Sequence, residues 1–97
     1  MKTIEKLTAK LDNLHAVLSK EIETVISTGR VSGAYHADDM NRIIDETKSI
    51  MKYVASTKDS NSLKYSYITY MCASVATLAM QILSVMENEI KVVNENA

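Results

Sequence analysis

The 97-residue chain has no proline, no tryptophan and no phenylalanine, two glycines and one cysteine. Each scarcity rules something out. Without proline, no position forces a helix to break from within. With Gly29 and Gly33 as the only glycines, there is no glycine-rich loop of the kind that cradles phosphates. A lone cysteine, Cys72, cannot form an intramolecular disulfide. With two histidines beside it, the set is too small for a zinc site built from Cys and His. Net charge is also small: at −1 the chain has no broad attraction for nucleic acid or for an anionic membrane.

What remains is an ordinary globular composition. Apolar residues make up 46% and charged residues 24%, too apolar a mixture for a disordered segment. A chain of this length makes one domain, 1–97, with an adequate but not generous core. The stretch MKTIEKLTAKLD carries charges every few residues and no apolar h-region, so no secretory signal is expected. With the single free cysteine, this favours a reducing, cytoplasmic setting.

Hydrophobic periodicity predicts an all-α fold. Ile4, Leu7, Leu11, Leu14, Leu18 and Val25 recur at helical spacing and predict helix 1 over about 3–28, with Thr3 as N-cap. Gly29 is a natural C′ residue. A linker, 29–37, leads to helix 2 over about 38–56. Asp38 and Asp39 suit its first turn, and Met40, Ile43, Ile44, Thr47, Ile50, Met51 and Val54 form its apolar stripe. Asp38 with Arg42 and Asp45 with Lys48 are spaced to pair on its surface. A polar loop, 57–61, carries cap candidates at Asp59 and Ser60. Helix 3, about 62–93, contains an uncharged run from Tyr65 to Met86.

That run is long enough to cross a bilayer, which takes about 20 residues. Yet Ser66, Ser74, Thr77, Gln81 and Ser84, with Tyr70 and Asn88, form one narrow polar stripe that lipid on all sides does not favour. The better expectation is a core helix of a soluble bundle, and a membrane partner is not expected. Three helices with short links predict an antiparallel three-helix unit with a long third helix. Helix 3 outruns helix 2 and carries two apolar rows, Ile68–Met71–Val75–Leu78–Ile82–Val85 and Cys72–Ala76–Ala79–Leu83–Met86–Ile90. The surplus predicts assembly into a homodimer or higher helical bundle, with Met71, Val75, Leu78, Ile82 and Val85 at the self-association seam.

No catalytic, cofactor-binding or metal-ligating residue can be assigned. Helical carboxylate sites need acids three or four apart, and no two acids here have that spacing. Asp12 and His15 are an acid–histidine pair at that spacing within helix 1, and they read as a solvated pair. Cys72 lies in an apolar run that would raise its pKa rather than activate it. Two clusters stand out as ligand or partner contacts. The 29–42 segment gathers both arginines, Arg30 and Arg42, with Tyr35 and His36, and Arg suits bidentate anion contacts. Tyr67 and Tyr70 are neighbours on helix 3, and Tyr is enriched at interfaces. These features predict a non-enzymatic interaction protein (inhibitor, adaptor or regulator) that self-associates through helix 3 and binds a protein partner. A small-ligand or nucleotide-binding oligomer with its site in 29–42, and a membrane-active chain that inserts helix 3, are the alternatives.

Overall fold

A computed structural model describes residues 2–57 and 62–96, with side chains for 3–57 and 62–89. Three helices follow in order, α1 (Lys2–Thr28), α2 (Ala37–Ala55) and α3 (Leu63–Asn96), and no strand lies among the described residues. The loop residues 58–61, with the expected caps Asp59 and Ser60, and the side chain of Ile90 lie outside that description.

The helix ends follow local chemistry. α1 starts one residue before Thr3, so Thr3 belongs to the first turn and is not the cap. Its far end stops at Gly29, whose φ of 76° is open to a residue without Cβ. The Gly29 N–H donates to the Val25 carbonyl at 2.7 Å, closing the last turn. α2 starts after His36, which is extended (φ −104°, ψ 162°). Asp39 Oδ2 accepts the His36 N–H at 2.8 Å, satisfying a donor the helix leaves open. Asp39 also explains why Arg42 does not pair with Asp38: its other oxygen, Oδ1, already meets the Arg42 guanidinium at 2.8 Å. Asp45 and Lys48 are not paired either. The ion pair on that side of α2 runs instead from Glu46 to Lys10 of α1, at 3.2 Å. Ser62 caps α3, its carbonyl accepting from Ser66 N–H at 3.0 Å and its hydroxyl from Tyr65 N–H at 3.4 Å.

The three helices run up, down and up. Ile4 and Leu63 share a groove at one end, Thr3 lies near Tyr53 at the finish of α2, and Val31 meets Glu89 at the other end. α3 packs against both partners, whereas the backbones of α1 and α2 scarcely touch. The core is therefore a seam along α3. Ile68, Cys72, Val75, Ala79 and Ile82 are fully buried against Leu11 and Leu18 of α1 and Met40 and Thr47 of α2. Each large apolar side chain buried this way contributes about 1.5–3 kcal/mol. Thr47 fits among them because its hydroxyl bonds the Ile44 carbonyl at 2.7 Å. Burial pushes the Cys72 thiol above its ordinary pKa, as expected for a cysteine used as a small hydrophobe.

The expected self-association seam comprises Met71, Val75, Leu78, Ile82 and Val85. Met71, Val75 and Ile82 are buried in the chain's own core, and Leu78 and Val85 are half-buried on its shoulders. Met71, Val75 and Ile82 thus have almost no exposed surface in the single chain. The end of α3 that outruns its neighbours, 90–96, carries side chains outside the described residues. Within the described side chains, what stays uncovered is one side of α3, along its length.

Candidate interaction surface

The 29–42 segment is a built loop. Glu21 of α1 is 5% exposed, and both of its oxygens are spoken for. Oε2 accepts from Ser32 N–H at 2.8 Å and Oε1 from the Ser32 hydroxyl at 2.6 Å. From the other side, Glu89 of α3 accepts the Val31 N–H at 3.1 Å. Two carboxylates thus pull the loop down onto the end of the bundle, while Gly29 and Gly33 (φ 88°) supply its two left-handed corners.

The candidate ligand residues in this segment do not converge. Tyr35 is half-buried against the core. Arg42 is held by Asp39 and shares with Tyr35 an open groove of about 470 Å³ that also takes in Lys10 and Glu46. Arg30 and His36 are exposed and lie outside that groove. The Thr28 hydroxyl accepts the Arg30 N–H at 3.2 Å while donating to the Thr24 carbonyl at 2.7 Å. The groove's two cations already face carboxylates, so an incoming anion would have to displace them.

The second cluster lies along the α1–α3 crevice. Tyr67 donates its hydroxyl to Asp12 Oδ1 at 2.7 Å and lines a groove of about 620 Å³ with Ile4, Thr8 and Leu63. Tyr70 stands further along, over a groove of about 420 Å³ shared with His15, Thr77 and Gln81. Asp12 and His15 therefore line different grooves, and of the two only Asp12 bonds a tyrosine. The Asp12 hydrogen bond, above all, holds the Tyr67 phenol above its ordinary pKa of 10.0, with desolvation and the charge of Asp12 adding to it. A raised native pKa means the bond is intact at neutral pH and is lost as pH climbs through the folded value. In a ¹³C-tyrosine NMR titration, Asp12→Asn should move the Tyr67 inflection down toward that of an ordinary tyrosine. An unmoved inflection would mean the bond does not form in solution.

Beyond the crevice is the outward side of α3. Ser66, Tyr70, Ala73, Thr77, Met80 and Ser84 follow one another at alternating steps of four and three, and all are exposed. Tyr70 is 66% exposed and Met80 51%. No charged residue lies between Lys64, which lines the groove beside α1 with Tyr67, and Glu87. Surface helices are normally charged on their solvent side. This one presents aromatic, thioether, methyl and hydroxyl groups over about five turns instead. Part of it was visible in sequence as the polar stripe through Ser66, Tyr70, Thr77 and Ser84; Ala73 and Met80 were not recognised as belonging to it. Glu21 was missed as well. Among the described residues no three His, Cys, Asp or Glu side chains gather into a metal-binding group. No protein-family model, curated protein or solved structure matches the chain.

Proposed function

We propose that the chain is a non-enzymatic interaction protein, an inhibitor, adaptor or regulator. It binds a macromolecular partner and associates with itself through α3. The observation that supports this is the uncharged, exposed strip from Ser66 to Ser84, with Tyr70 and Met80 as its large side chains. Exposed Tyr and Met without neighbouring charge are typical of the centre of an interface. Tyr67 extends the surface into the crevice beside α1.

Oxidative footprinting tests it. In dilute purified protein, Met80 and Tyr70 should label at least as fast as Met51 and Tyr53 of α2, which are 40% and 43% exposed. In concentrated protein or in extract of the native host, Met80 and Tyr70 should become protected while Met51 and Tyr53 do not. Labelling of all four residues unchanged in both conditions would reject the surface.

One observation favours a second reading. The most apolar window of Leu63–Glu89 has a mean hydropathy of 1.6, and 33% of that window is buried within the chain, so a bilayer could receive α3 if the bundle opened. Against it stand the hydroxyls of the strip and the Tyr67–Asp12 bond. Flotation with phosphatidylcholine vesicles separates the two: a membrane-active chain rises with the lipid, and an interaction protein of the first kind stays behind.

A further inference from the structure

We draw no further inference here: the strongest candidate, the uncharged outward face of α3 from Ser66 to Ser84, is an unpartnered helix face, and nothing in the structure shows what covers it.

Discussion

Val75→Asp should leave no cooperatively folded protein at 37 °C, whereas Thr77→Arg, two residues away, should melt within about 2 °C of wild type in dilute solution. Both positions lie on the same uncharged stretch of α3, and hydropathy does not tell their roles apart. The structure does. Val75 is fully buried at the middle of the seam between α1 and α2. Thr77 is exposed, and its hydroxyl bonds the Ala73 carbonyl of its own helix at 2.8 Å. An aspartate at 75 would lose the valine's burial and place a carboxyl among apolar side chains with no partner. The combined cost is on the order of 5 kcal/mol. A domain of this size is held by about 5–15 kcal/mol, so most or all of that margin is removed. Arginine at 77 extends into water and is a good helix former. Circular-dichroism melts of the two variants check the inner and outer faces of α3 together. Equal melting of both would mean that α3 is rotated from the orientation described.

Glu21→Ala should lower the melting temperature by roughly 10–20 °C, a large effect for a carboxylate on a helix with no basic residue in its last turn. Glu21 holds Ser32 through two short bonds, one to the backbone N–H and one to the hydroxyl. Hydrogen bonds to a charged group contribute about 1.5–3 kcal/mol each when buried. Partial access of water to Ser32 brings the expected total to about 2–3 kcal/mol. Glu21→Gln keeps one acceptor and should lose about half of that. Ser32→Ala keeps the backbone bond and should lose about 1 kcal/mol. Hydrogen exchange adds a local readout: Val31 and Ser32 amides should exchange much faster in Glu21→Ala, while those of mid-α3 follow global stability. A variant that melts like wild type with unchanged Val31 and Ser32 protection would mean the clamp is not formed in solution.

Much of the fold was legible because local rules and periodicity agreed. The seam from Ile4 to Val25, the cap at Gly29 and the paired acids at 38–39 each marked a helix or its end where the structure has one. The failures share a cause, which is dependence on distant residues. Counting the α1 seam from Ile4 through Leu7, Leu11, Leu14 and Leu18 leads to position 21, and a glutamate there breaks the pattern. That interruption was the available signal. Its meaning depended on Ser32, brought back by a loop with two left-handed corners. Arg42 chose Asp39 over Asp38 for a similar reason: Asp39 was already fixed by capping His36.

The orientation of α3 was harder still. Its apolar residues are spread around most of the circumference, so the period says helix without saying which side faces in. Small side chains decided it, since Cys72 and Ala79 allow close approach inward while the equally small Ala73 is left facing out. Of the residues expected at the self-association seam, Met71, Val75 and Ile82 lie in the chain's own core. The strip left outside is less hydrophobic, and its 4–3 repeat is carried largely by hydroxyls.

The most direct test of that strip is the absolute mass of the wild-type chain in detergent-free buffer, by light scattering after gel filtration across a tenfold concentration range. The expected result is soluble protein whose mass rises from 10.8 kDa toward twice that value, with the rise abolished by Thr77→Arg. A chain that stays at 10.8 kDa throughout, or that associates equally well with arginine at position 77, would contradict self-association through the outward side of α3.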